Sequence, residues 1–141
     1  FNTYGPRMRV NDGRAIPNFI NQSLKHSNIT VYGNGKQTRS FCYVSDTVLG
    51  IYKLLLNDYN FPVNIGNPTE FSINELITLI QSLIPSNSKI VFRDLPENDP
   101  KVRKPNIELA KKKLIWSPKI NLKDGLKLTI NYFEKLHNFE E

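Results

Sequence analysis

The first eight residues limit the fold more than any others. Phe1-Asn2-Thr3 reads as a buried strand, and Tyr4-Gly5-Pro6 breaks it at once. Position 1 is not Met, and the chain starts inside a structural element. The reading therefore expects the back part of a longer polypeptide, carrying only part of any site.

At 141 residues the chain is long enough for one modest domain and too short for two. No apolar run approaches the ~18 residues of a membrane span, and no signal-peptide pattern is present. The expectation is a cytoplasmic segment without membrane contact. Cys42 is the sole cysteine, which excludes an internal disulfide and a cysteine-based zinc site. The formal net charge of +6 admits two readings: a basic face for nucleic acid, or a few arginines converging on a small phosphorylated ligand. Its distribution favours the second. Lys111-Lys112-Lys113 falls where a helix puts its solvated face, whereas Arg7, Arg9, Arg14, Arg39 and Arg103 are scattered among loop signals. No nucleic-acid motif accompanies them.

Helical and strand patterns alternate along the chain. Ile16, Phe19, Ile20 and Leu24 recur at helical spacing, with Pro17 tolerable in a first turn. Ile29 to Tyr32 reads as a strand ended by Gly33-Asn34-Gly35, and Ser40 to Val44 as a second. Ser45-Asp46 can cap a helix with an apolar stripe of Val48, Ile51, Tyr52 and Leu55. Pro62 to Gly66 reads as a short buried strand. Ser72 and Glu75 spell a capping box, with Phe71 and Leu76 as its staple and Ile73, Leu76, Ile77 and Ile80 facing inward. Pro85 ends that helix, and Lys89 to Leu95 reads as a strand. Pro96 to Pro105 is a polar loop. Asn106 can cap a short helix through Leu114, and Asn121 a last one carrying Leu122, Leu126, Ile130 and Phe133. The long regular β-α-β rhythm of a complete doubly wound sheet is missing, as are a glycine-rich dinucleotide fingerprint and a P-loop. The pattern suits the accessory part of an α/β protein better than its nucleotide-binding core.

Three segments could carry chemistry. Asn2-Thr3 sits at the carboxyl end of a strand, where open α/β sheets bind ligands; it could equally just close a turn. In Thr30-Val31-Tyr32-Gly33-Asn34-Gly35-Lys36-Gln37-Thr38-Arg39, Tyr32 could stack on a planar base and Arg39 could fork onto phosphate oxygens; a hairpin with a solvated arginine fits too. Glu97 to Pro105 frames Arg103 between prolines and could close over an anion, or be an exposed linker. His26 and His137 lack a partner at ligand spacing, so no metal site is expected. Cys42, between Phe41 and Tyr43, reads as a small core residue.

Taken together, Phe1-Asn2-Thr3-Tyr4-Gly5-Pro6-Arg7-Met8, Asn11-Asp12-Gly13-Arg14, Val31-Tyr32-Gly33 with Gln37-Thr38-Arg39-Ser40-Phe41-Cys42-Tyr43-Val44-Ser45-Asp46, Val63 to Pro68, and Asp99-Pro100 with Arg103-Lys104-Pro105 resemble the UDP-glucuronic acid decarboxylases. These belong to the extended short-chain dehydrogenase/reductase group. The resemblance runs in order over the whole chain. Single motifs are shared with sugar-nucleotide 4-epimerases and 4,6-dehydratases, which are the alternative within the group; the combination is more specific. A truncated, non-catalytic nucleotide-sugar binding protein is the alternative outside catalysis.

The resemblance implies an α/β fold: the C-terminal substrate-binding part of such an enzyme with edge elements of the Rossmann sheet. Residues 1–14 would end an NAD-domain strand and form an active-site loop. Residues 15–42 and 68–141 would form the substrate domain, and 43–67 a helix and strand returning to the NAD domain. It implies NAD as cofactor and a reaction in which the 4-hydroxyl of UDP-glucuronate is oxidised, CO2 leaves the β-keto acid, and the enolate is protonated and re-reduced to UDP-xylose. Thr3 and Arg9 would approach NAD, although Arg9 departs from the family's residue. Asn2, Thr30, Tyr32, Gln37, Arg39 and Arg103 would hold the UDP-sugar. Arg14 would serve decarboxylation beside the sugar carboxylate, where a cation stabilises growing negative charge. Asn106 stands where the family often has Asp, and Ile115 where it has Gly. The resemblance puts the family's glycine-rich NAD turn and catalytic tyrosine–lysine pair upstream of Phe1, so the segment alone is expected to be inactive and to bind UDP-sugars weakly or not at all. The full-length enzyme is expected to be a homodimer.

Overall fold

The computed structural model describes residues 2–94 and 103–140. Phe1 and residues 95–102, which hold the start of the first predicted strand, Leu95 and most of the proline-framed loop, lie outside them. The elements run β1 (Thr3–Tyr4), α1 (Ala15–Leu24), β2 (Ile29–Tyr32), β3 (Thr38–Ser40), β4 (Cys42–Tyr43), α2 (Val44–Leu55), β5 (Glu70–Ser72), α3 (Ile73–Leu83), β6 (Ile90–Arg93), α4 (Glu108–Leu114) and α5 (Leu122–Glu140). The fold class is α/β.

Among the described residues, three strand pairs rather than one sheet tie the chain together. β1 pairs parallel with β4, β2 parallel with β6, and β3 antiparallel with β5. The larger core cluster joins α1, α3 and α5 over β2: Ile20, Val31, Leu76, Ile77, Leu126 and Phe133 are fully buried in it. Each fully buried large apolar side chain stabilises the fold by roughly 1.5–3 kcal/mol before entropy is counted. A smaller cluster of Cys42, Ile107, Ala110, Leu114 and Trp116 packs α4 against α2 and against Val63 and Ile65.

Local chemistry explains the starts of the helices. Pro17 sits in the first turn of α1, where its missing N–H costs nothing. The capping box of α3 is complete: Ser72 Oγ accepts from Glu75 N, and Glu75 Oε2 accepts from Ser72 N at 2.7 Å. Asn121 Oδ1 accepts from Asp124 N at 2.9 Å and so caps α5. Asn106 Oδ1 accepts from Glu108 N at 3.0 Å, but the residue at the cap position of α4 is Ile107, which makes no side-chain cap.

Four sequence expectations shift. The strand expected over Ser40 to Val44 divides into β3 and β4, with Phe41 between them. The first of these pairs with Glu70–Ser72, a strand the sequence did not reveal because it merges into the cap of α3. Ser45-Asp46 does not cap α2. That helix starts at Val44 after Tyr43, with no side-chain cap, and Asp46 instead turns inward. Its Oδ2 accepts from Lys119 N and Ile120 N, both at 2.9 Å, and its carbonyl accepts from Trp116 Nε1. The stripe of α2 is exposed: Val48, Ile51 and Tyr52 each keep more than half of their surface and Leu55 keeps 78%. Pro62 to Gly66 forms no strand, because no described strand lies beside it to supply a ladder. No helix among the described residues is long and apolar enough to cross a membrane.

Candidate functional site

A cleft of about 360 Å³ opens where β1, the start of α1, the end of β2 and the start of β3 come together. Its walls include Asn2, Thr3, Arg14, Thr30, Tyr32 and Gln37, and also Arg39 and Arg103. Every residue the sequence singled out for substrate is therefore on this wall. Arg9 is not among the lining residues and is exposed. Met8, Asn18, Phe19 and Phe41 also line the cleft. Sequence reasoning passed over these four because nothing in their local pattern separates a cleft-facing residue from a core one.

Each lining group has a local reason for its place. Asn2 Nδ2 donates to Ser40 O at 3.0 Å, which fixes the β1 end against β3. Thr3 Oγ1 and Thr47 Oγ1 lie 3.2 Å apart and join β1 to α2. Thr30 N donates to Gln22 Oε1 at 3.1 Å, so α1 anchors β2. Gln37 Nε2 donates to Tyr32 O at 2.7 Å across the Gly33–Gly35 turn, and Tyr32 keeps 47% of its surface. Arg39 Nη1 donates to Thr38 O at 2.8 Å, holding its planar fork along the strand. Arg14 Nε lies 3.1 Å from Asp12 Oδ2 while most of its side chain is exposed.

Arg14, Arg39 and Arg103 are on the wall, and among the described residues no carboxylate lines it, although Asp12 pairs with Arg14 from outside the lining. The start of α1 opens into the same space with no side-chain cap at Arg14, and a helix N-terminus carries a partial positive charge. Tyr4 lines the floor with only 2% of its surface exposed, and its hydroxyl donates to Leu122 O at 3.3 Å. Burial, with Tyr43 and Cys42 adding to it, pushes this phenol well above its ordinary value, so it stays neutral. Burial likewise raises the Cys42 thiol, which rules it out as a ready nucleophile. Among the described residues no cluster of His, Cys, Asp and Glu could hold a metal ion. The geometry suits an anion with a planar, stackable end, held by forked cations.

The NAD dependent epimerase/dehydratase family matches residues 1–66. UDP-glucuronic acid decarboxylase 4 of Arabidopsis thaliana is 49% identical over 96% of this chain and 30% of its own length. UDP-glucuronic acid decarboxylase 1 of Xenopus tropicalis is 49% identical over 96% of this chain and 32% of its own. Among solved structures, the UDP-glucuronic acid 4-epimerase of Bacillus cereus, in complex with UDP-glucuronic acid and NAD, superposes with a TM-score of 0.89 at 30% identity. It is covered over 96% of this chain and 44% of its own. The UDP-glucose 4-epimerase of Thermotoga maritima gives a TM-score of 0.92 at 28% identity over the same shares. The chain thus spans about a third of the length of the curated relatives it matches.

Proposed function

We infer that the chain is the UDP-sugar-holding part of an NAD-dependent UDP-glucuronate decarboxylase. The observation that carries this reading is the convergence of Arg14, Arg39 and Arg103, from separate segments, on one cleft with no carboxylate among its described lining residues. The higher identity to decarboxylases than to the solved 4-epimerases, 49% against 30%, favours decarboxylation over epimerisation.

In this reading Arg39 and Arg103 grip the diphosphate, Arg39 as a forked, charge-assisted donor. Asn2 supports the same end. Tyr32, Thr30 and Gln37 take the uracil, Tyr32 by stacking. Arg14 faces the sugar carboxylate and would stabilise the negative charge that grows on the sugar as CO2 departs. Its contact with Asp12 is to one nitrogen, which leaves the rest of the fork to the ligand. NAD, when bound, would accept hydride from the sugar 4-position and return it. The described residues do not fit NAD by themselves. Thr3 lines the cleft while hydrogen-bonded to Thr47, Arg9 does not line it, and no dinucleotide turn is in the chain. No redox step is therefore assigned to this chain's own residues.

The division into sheet-edge residues 1–14 and 43–67 and a substrate lobe of 15–42 and 68–141 belongs to the same reading. The two core clusters cut across it: Tyr4 and Tyr43 pack with α1, α3 and α5, and α4 packs with α2, Val63 and Ile65. The reading also includes a cytoplasmic homodimer for the full-length enzyme, tested by cell fractionation and by sedimentation of that enzyme.

The 141-residue chain, followed by NMR, should bind UDP weakly, with signals moving at Tyr32, Gln37 and Arg39. UDP-glucuronate should bind better than UDP-xylose, and Arg14→Ala should erase that preference while leaving UDP binding intact. A preference that survives Arg14→Ala, or ligand shifts scattered away from the cleft, would overturn the assignment.

A further inference from the structure

The turn that presents Gln37 to the cleft is held from behind by the first turn of α3. Gly33 and Gly35 both lie in the left-handed region, at φ 73° and 71°, which frees the chain to reverse sharply. Ile73 N donates to Gln37 O at 3.2 Å and Asn74 N to Gly35 O at 3.0 Å. A helix leaves its first amides without intrahelical partners; here two of them hold the turn, and the third, on Glu75, goes to Ser72 Oγ. The Asn74 carboxamide completes the strap. Its Nδ2 donates to Asn34 O at 3.2 Å, and it lies so close to Gly35 that a methyl group there would overlap it. On the other side Gln37 Nε2 closes the turn onto Tyr32 O. Asn74 does not line the cleft, whereas Tyr32 and Gln37 do.

We propose that Asn74 is a positioning residue for the nucleotide end of the cleft, acting through Gly35 and Asn34 on the turn that presents Gln37 and Tyr32. This rests on the reading of the cleft as a UDP-sugar site. The arginines that would grip phosphate lie outside the strapped turn, so the strap serves the base and not the diphosphate.

Two probes separate the ends of the site: UDP, and inorganic pyrophosphate, which lacks the base. In the 141-residue chain, Asn74→Ala should weaken UDP binding roughly five- to tenfold, the scale of one lost hydrogen bond, and leave pyrophosphate binding unchanged. Asn74→Leu keeps nearly the side chain's size, removes the donor to Asn34 O and adds no charge; it should show the same split, and it serves if the alanine variant folds poorly. Against a Gln37→Ala background the Asn74 effect should vanish, because both act through one turn. Equal losses for UDP and pyrophosphate, additive effects with Gln37→Ala, or undiminished UDP binding in both variants would each overturn the proposal while the cleft reading stands. If the wild-type chain binds neither probe at millimolar concentration, the cleft reading falls and takes this proposal with it.

Discussion

Phe133 and Leu55 are both large apolar residues on amphipathic helices, yet Phe133 is fully buried and Leu55 is 78% exposed. The same contrast holds between the regions around them. α1, α3 and α5 close over β2 with their inward stripes covered on all sides. α2 carries an equally regular stripe, and Val48, Ile51, Tyr52 and Leu55 of that stripe all face outward. β1 and β4 beside it form a parallel pair of two residues each, and parallel strands are ordinarily covered on both faces. Periodicity therefore says that a helix is amphipathic; it does not say where the cover is. The cleft lobe supplies its own cover, which is why its lining residues have fixed places, while α2 meets the rest of the chain through Val44 and Thr47 on the β1–β4 side and through Asp46, Gly50 and the α4 cluster.

A pair of truncations attacks that contrast most directly. Phe133→Ala should cost about 3–5 kcal/mol of unfolding free energy, as cavity-forming substitutions in a packed core do. Leu55→Ala should change stability by no more than about 0.5 kcal/mol, as exposed substitutions do. Urea titration of both variants reads the difference. A Leu55→Ala loss comparable to that of Phe133→Ala would show the α2 stripe to be covered in solution and would abolish the distinction.

Ile115 offers a smaller effect on the α2 side. It ends α4 at φ 47°, ψ 49°, in the left-handed region, where a β-branched residue is strained. Its side chain is 84% exposed, so it gains no packing in return. What holds it is α2: Lys53 Nζ donates to Ile115 O at 2.7 Å, and Asn57 Nδ2 donates to Lys113 O at 3.1 Å. Glycine is the usual residue at this cap. Ile115→Gly should raise stability by about 1 kcal/mol in the same titration. A loss of stability would mean that Ile115, too, packs on a surface this chain does not show.

Much of the cleft lobe was legible because its signals are local. Ser72 and Glu75 are three residues apart, Asn121 and Asp124 likewise, and the four apolar residues of α3 fall on one face whatever the tertiary context. The cleft residues were legible only as a resemblance of motifs; locally, Tyr32 to Arg39 reads equally well as a plain hairpin. What escaped the sequence depends on distant partners. Asp46 looks like a helix cap beside Ser45, but its oxygens are taken by amides more than seventy residues away. Asn74 looks like an exposed second residue of a helix, and only the fold brings the Gly35 turn to it. Pro62 to Gly66 has strand composition, and composition alone cannot provide a neighbouring strand.

The starts of α3 and α2 give the smallest and sharpest comparison, since the first has a carboxylate cap and the second has no side-chain cap. Hydrogen bonds from Ser72 N and Ser72 Oγ to Glu75 hold its carboxyl below the ordinary 4.5. A carboxyl with a lowered folded-state pKa adds stability above its ordinary value, and this is lost as pH falls through the folded-state value. The cleft lobe should therefore lose stability on acidification from about pH 4.5 downward, partly through Glu75. Glu70 acts in the same window, because Thr38 Oγ1 and Lys104 lower its pKa. Glu75→Gln keeps a side chain able to reach back to Ser72 N but no longer titrates. Its melting temperature should lie slightly below wild type near neutrality and fall less steeply through the acid window. Parallel melting curves for the two proteins across that window would mean that water screens the cap completely, leaving the start of α3 no more pH-sensitive than the uncapped start of α2.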